Sequence, residues 1–181
     1  MCLSFVALAQ KQTIATDKAT YDGALWTKRL YYLQWIQGTD TYTYFKDGNL
    51  AIFDTKGAQV GAINLQKLSD TYKIEGFPNI TYIDGNQVVV ETSDHFYIYD
   101  YLIERPIFSI TIPEKAENRI YNHQQKAVAY TMDNNLFLAT ESDPRFPIAV
   151  SKDENIISGQ FIHRNEFGIQ GGIFWSPKGN Y

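Results

Sequence analysis

One carboxylate stands out by its setting. Glu166 lies in His163-Arg164-Asn165-Glu166-Phe167-Gly168-Ile169, shortly before Phe174-Trp175-Ser176-Pro177-Lys178-Gly179. Trp-Ser-Pro-x-Gly is a common opening of a β-propeller blade. The aromatic packs between neighbouring blades, proline fixes φ, and glycine is free to take positive φ in the turn to the next strand. An acidic residue just upstream sits in the connection between blades, with access to the central channel. Its plainer reading is a surface carboxylate paired with Arg164, and the residues alone leave both readings open.

Other chemistry is sparse. The chain contains no Gly-x-Ser-x-Gly elbow, and serines such as Ser93 and Ser142 sit in Thr92-Ser93-Asp94 and Glu141-Ser142-Asp143. Those contexts lack the strand–turn–helix that a nucleophile elbow needs. His95, His123 and His163 are scattered, without metal-ligand spacing, and read as surface or turn histidines. Asp47, Asp94 and Asp133 read as turn aspartates bonding their own backbone, not as calcium ligands. Asp153 and Glu154 read as a solvated loop. No metal and no cofactor is expected.

The elements that must position Glu166 follow from composition and recurrence. The 181 residues are 44% hydrophobic, 20% charged and 15% aromatic, with 13 Tyr and 11 Phe. That is globular composition favouring strands. A net charge of −4 without a basic run argues against nucleic acid or an anionic membrane surface as partner. No apolar stretch approaches the roughly 20 residues that span a bilayer.

Three segments repeat one pattern: a β-rich run, a short Asp-containing turn and a second β-rich run. They are Thr41–Phe45 with Leu50–Asp54, Gln87–Thr92 with Phe96–Asp100, and Ala127–Thr131 with Leu136–Ala139. Each reads as a hairpin. Their turn aspartates, Asp47, Asp94 and Asp133, recur at intervals of 47 and 39 residues, the period of a four-stranded propeller blade. Outer strands are expected at Gln59–Ile63, Pro106–Ile112 and Pro147–Val150, and leading strands at Leu30–Trp35, Asn79–Tyr82 and Arg119–Tyr121. Trp175 is expected to begin a fourth unit, with Phe174 and Trp175 as blade core. An immunoglobulin-like sandwich is the rival all-β reading, but it lacks a recurrence of this length. Helix is limited to a turn or two near Asn64–Leu68. The stretch from Ser151 to Ile169 is long for a connection, and such loops usually carry function.

The N-terminus differs from the rest. Met1–Gln10 ends an apolar run in Ala7-Leu8-Ala9, the small-x-small pattern of a signal-peptidase site. The run is short and no basic residue precedes it, so Met1 reads as an internal start; an ordinary first strand is the alternative. Cleavage after Ala9 removes Cys2, the only cysteine, and with it any thiol or disulfide chemistry. Residues 1–9 are expected to be a signal-peptide remnant, 10–29 an N-terminal extension and 30–181 a partial β-propeller. The expected location is periplasmic, secreted or cell-surface.

These features resemble the N-terminal propeller of the dipeptidyl peptidase IV branch of the prolyl oligopeptidase family, including its prolyl tripeptidyl peptidases. The likeness rests on His163–Ile169 followed by Gly172–Gly179, with support from Leu25-Trp26 and Arg29–Trp35. The resemblance implies an eight-bladed propeller joined to an α/β-hydrolase domain that holds the Ser-Asp-His triad, with substrate between them. It implies that Glu166 grips the free N-terminus of a peptide, with Arg164 and Asn165 as flanking candidates for support. The chemistry fits. A peptide α-amino group, with pKa near 8, is mostly an ammonium at neutral pH, and a carboxylate facing it makes a charge-assisted hydrogen bond.

Two departures stand out. Dipeptidyl peptidase IV carries two adjacent glutamates, whereas Asn165 precedes Glu166 here; a single glutamate resembles the tripeptidyl form, and the choice between dipeptide and tripeptide release stays open. The arginine that holds substrate carbonyls has no match, since the nearest positions hold Val89, Val90 and Glu91.

The expected protein is therefore the substrate-gating, N-terminus-recognising part of an exported serine exopeptidase, inactive alone. Its expected partners are a peptide with a free N-terminus and the hydrolase domain. A homodimer of the whole enzyme is compatible with this. The chain ends at Tyr181 where a next strand is expected, so it reads as truncated, and an isolated piece with uncovered blade faces is expected to be poorly soluble or oligomeric. The alternative is a non-catalytic cell-surface propeller that binds protein or glycan.

Overall fold

The computed structural model describes residues 29–153, 155–160 and 171–176. The chain divides into two units, Met1–Tyr31 and Tyr32–Tyr181. The first lies almost wholly outside the described residues, and the architecture is that of the second.

Among the described residues, twelve strands form three four-stranded antiparallel sheets, each a simple meander. The first contains β1 (Gln34–Trp35), β2 (Thr41–Lys46), β3 (Asn49–Asp54) and β4 (Gln59–Ile63). A helix, α1 (Leu65–Tyr72), follows. The second sheet contains β5 (Asn79–Asp84), β6 (Gln87–Glu91), β7 (His95–Asp100) and β8 (Arg105–Thr111). The third contains β9 (Glu117–Asn122), β10 (Ala127–Met132), β11 (Asn135–Ala139) and β12 (Phe146–Ala149). The protein is all-β, a partial propeller of three blades.

Turn chemistry sets the register of the central hairpins. Asp47 and Gly48 both take positive φ (50° and 82°), as do Asp133 and Asn134 (49° and 63°). Two such residues in a row give the tight turn whose twist matches the flanking strands, and Lys46 pairs with Asn49, Met132 with Asn135. The expected reason for these aspartates was different: at 47 and 133 they supply positive φ. Side-chain bonding to nearby backbone occurs elsewhere, at Asp54, which accepts from Lys56 N and Ala58 N, and at Asp100, which accepts from Leu102 N and Ile103 N.

The core lies between blades. Along β6, Val88 and Val90 face blade 1 while Val89 faces blade 3. Both faces are covered, so the strand reads as an unbroken apolar run and not as an alternation. At the first junction Leu50, Ile52 and Ile63 meet Ile80, Ile83, Val88 and Val90, with Leu65 and Leu68 of α1 joining them. At the second, Phe96, Ile98 and Ile110 meet Val128, Tyr130, Met132 and Phe137. The pairing of third with fourth strand shifts register once in every blade, and β8 and β12 carry Pro106 and Pro147. Bulges and prolines blunt exposed sheet edges.

Two expectations change in extent. The leading strand expected over Leu30–Trp35 shrinks to Gln34–Trp35, because Tyr32 takes φ 57° and turns the chain. The turn or two near Asn64–Leu68 becomes a full helix to Tyr72. Asn64 Oδ1 accepts from Lys67 N at 2.9 Å, capping its start, and Lys73 at φ 54° ends it.

Candidate functional site

The described residues on either side of the Glu166 segment both touch blade 3. On the leaving side, Ser151 N donates to Asn135 Oδ1 at 2.7 Å and Ser158 N donates to Asn134 O at 2.8 Å, so this arm is tied to the β10–β11 turn. Gly159 then sits at φ 71° against the sheet. A Cβ there would lie 2.9 Å from both Leu136 Cδ1 and Thr131 Cγ2, and 3.5 Å from Ile173 Cγ1. Glycine is needed on both counts, conformation and space.

On the returning side, Gly172–Trp175 lies over a groove of about 530 Å³, floored by Ala127, Ala129, Leu136, Leu138 and Ile148. Trp175 Nε1 donates to Ile120 O at 3.1 Å on the edge strand β9. Glu166, Arg164, Asn165 and His163 themselves fall outside the described residues. Trp175 is half-buried, as expected of a blade aromatic, but Phe174 is 82% exposed and is not core. Residues 171–176 form no strand. Ile173 and Trp175, on either side of Phe174, are half-buried.

Beside the β6–β7 turn sits an ionic clamp that the sequence did not reveal. Arg119 of β9 places Nη2 3.0 Å from Glu91 Oε1 of blade 2, and its Nη1 donates to Thr92 O at 3.1 Å and Ser93 O at 3.0 Å. The side chains are only 25% and 16% exposed. Burial raises the Glu91 carboxyl above its usual range, and the guanidinium opposes that shift. Val89 and Val90, beside the position where the resemblance would place a substrate-binding arginine, are fully buried on opposite faces of β6.

The two described histidines also serve junctions and turns. His95 Nδ1 lies 3.1 Å from Asp94 Oδ2, and its Nε2 lies 3.4 Å from Thr111 Oγ1, fixing the β6–β7 turn beside the end of β8. Hydrogen bonds from His95 and then Thr92 hold the Asp94 carboxyl below its ordinary range. At the opposite end, His123 Nε2 lies 2.9 Å from Asp84 Oδ2, joining blade 3 to blade 2. Gln37 N donates to Ile83 O and accepts at its own carbonyl from Gly85 N, joining blade 1 to blade 2. Among the described residues, no three His, Cys, Asp or Glu side chains converge to hold a metal ion.

The sequence profile of the dipeptidyl peptidase IV (DPP IV) N-terminal region matches residues 83–181, from the end of β5 through blade 3 and the Glu166 segment. The chain belongs to that family. A Bacteroides ovatus protein provisionally named a dipeptidyl aminopeptidase IV shares 29% identity with it, at a TM-score of 0.64. That match covers 84% of this chain and 22% of the other, so the DPP IV N-terminal chain in hand spans about a fifth of that protein's length. Kluyveromyces lactis Hsv2p aligns at 8% identity and a TM-score of 0.38, over 68% of this chain and 37% of its own, a likeness from which nothing follows.

Proposed function

We propose that this DPP IV N-terminal region recognises the free N-terminus of peptide substrates through Glu166 and limits their access to a serine peptidase active site. The observation that carries the reading is the family match over residues 83–181, which includes the whole His163–Ile169 motif. The glutamate meets an ammonium, with Arg164 and Asn165 flanking it. An α/β-hydrolase domain elsewhere in the protein supplies the triad, and the enzyme releases dipeptides or tripeptides. The whole enzyme is exported to the periplasm or cell surface, a proposal that rests on Ala7-Leu8-Ala9 in the undescribed N-terminus.

The chemistry makes the role selective. Removing one partner of a desolvated, hydrogen-bonded charge pair costs roughly 2–5 kcal/mol. Glu166→Gln in the full-length enzyme is therefore expected to lower kcat/KM for free-N-terminus peptides about thirty-fold or more, with little change for Nα-acetylated peptides. Equal loss on both would remove the role. Absence of a Gly-x-Ser-x-Gly elbow from the full-length sequence would favour a non-catalytic propeller instead.

A further inference from the structure

We infer that the face of blade 1 formed by Trp35, Tyr42 and Tyr44 seats a further blade of the same protein. In that seat the Trp35 indole N–H donates to a main-chain carbonyl on the first strand of the incoming blade. The inference is independent of the reading of Glu166 and rests on the internal repeat. The cross-strand pairs Phe45–Leu50, Glu91–Phe96 and Thr131–Leu136 stand at the same place in the three blades, beside the turn from second to third strand. Tyr44 therefore corresponds to Val90 and Tyr130, and Tyr42 to Val88 and Val128.

In blades 2 and 3 those four positions are fully buried in the junction with the preceding blade. In blade 1, Tyr42 and Tyr44 are only half-buried, and Trp35, which pairs with Tyr42, is 59% exposed. Among the described residues no other blade covers them. The rings nevertheless form a continuous surface. Trp35 meets Tyr42 at 5.7 Å, and Phe53 stacks on Tyr42 at 5.6 Å and on Tyr44 at 4.6 Å. Beside them lies a hollow of about 470 Å³ that Leu33 and Thr55 also line. Contiguous apolar surface marks an interaction site, and the open face of a terminal repeat needs a cover.

The recurrence says what that cover is. At both described junctions the face that lies on these positions is built the same way. The third strand of the preceding blade supplies two large apolar side chains, Leu50 and Ile52 or Phe96 and Ile98, and its fourth strand supplies Ile63 or Ile110. Blade 3 repeats the third-strand pair as Leu136 and Leu138. Trp175 supplies the polar contact. It lies over the Leu136–Leu138 face of blade 3, and its Nε1 donates to Ile120 O on β9, that blade's first strand. Trp35 is its counterpart, with a glycine following closely in both cases, Gly38 and Gly179. The Trp35 indole has no hydrogen-bond partner among the described residues, which leaves its donor for the incoming blade.

Three measurements on the full-length enzyme test this. Hydroxyl-radical footprinting compares Tyr44 with Tyr130, the same residue type at equivalent positions, each against its rate in the urea-unfolded enzyme. Equal, strong protection is expected. A freely reacting Tyr44 beside a protected Tyr130 would overturn the inference, as would protection that appears only when a neutral oligosaccharide such as cellohexaose is added. Photo-crosslinking from p-benzoylphenylalanine at position 42 identifies the cover. The crosslink is expected within one polypeptide, on the third or fourth strand of another four-stranded unit. Crosslinks to residues 1–28, to the hydrolase domain or to a second copy would overturn it. Trp35→Phe keeps a ring and removes the donor. The Ile36 amide, which donates to Thr41 O at 3.0 Å, is then expected to exchange with solvent about five-fold faster. Unchanged exchange would overturn the indole bond.

Discussion

The junction between blades 1 and 2 and the junction between blades 2 and 3 bury the same kinds of side chain but are closed in different ways. At the first, α1 fills the wedge between sheets. Leu65 and Leu68 enter the core, and Tyr72 stacks on Tyr97 with ring centroids 4.1 Å apart. The Tyr72 hydroxyl is buried and has no hydrogen-bond partner among the described residues. At the second, sheet meets sheet directly, and polar contacts cross it at both ends: Arg119 with Glu91, and His123 with Asp84. An inserted helix fills space and tolerates an imperfect polar fit. Direct sheet packing places its ion pairs between strands and turns of the two sheets, whereas at the first junction the ion pair is made by the helix, Lys67 with Glu104 of the β7–β8 turn.

The sharpest way to break this contrast is to empty each junction. Phe96→Ala, at a fully buried site between blades 2 and 3, is expected to cost about 3–5 kcal/mol of stability. Leu68→Ala is expected to cost less, about 2–3 kcal/mol, because α1 can undock while the sheets remain paired. Chemical denaturation measures both. Equal costs, with α1 amides protected from hydrogen exchange as strongly as β10, would erase the distinction.

A smaller effect sharpens it. Arg119→Ala strands the Glu91 carboxylate and is expected to destabilise by about 1–3 kcal/mol. Glu91→Gln in the same background should recover part of that. Additive losses in the double variant, read from a thermodynamic cycle, would mean the pair does not couple the blades.

The smallest effect lies on the helix side. Tyr72→Phe removes an unsatisfied hydroxyl and is expected to be neutral or to stabilise by about 1 kcal/mol. Burial, then the neighbouring Tyr99 and Tyr97, push the Tyr72 hydroxyl up from its ordinary value of 10.0. A folded-state pKa above the unfolded one means its contribution is intact below about pH 10 and is lost as pH climbs beyond that. The Tyr72→Phe variant should therefore lose less stability than wild type between pH 10 and 12. Parallel pH curves would show that the hydroxyl is not burdened by its site.

The same contrast explains what could be read from residues alone. The hairpins were legible because Asp47-Gly48 and Asp133-Asn134 encode their turns locally, and Val88-Val89-Val90 encodes a strand covered on both faces. Propeller fold and family both follow from those recurrences and from the Trp-Ser-Pro motif. α1 was legible only to Leu68, because Ser69 interrupts its apolar stripe; that serine is buried and donates to Gly76 O. The Arg119–Glu91 clamp could not be read, since it joins residues 28 positions apart whose meeting depends on how two blades dock. Gly159 gave no signal either, because its constraint is set by Thr131 and Leu136 and not by its neighbours in sequence.

The most direct test of the central claim is kcat/KM across pH for one peptide with a free N-terminus and for its Nα-acetylated twin. Full-length wild type and Glu166→Gln are compared. The account predicts that wild type favours the free peptide, that the preference fades as pH passes about 8 and the ammonium is lost, and that Glu166→Gln shows little preference at any pH. A preference of equal size and equal pH dependence in both proteins would contradict it.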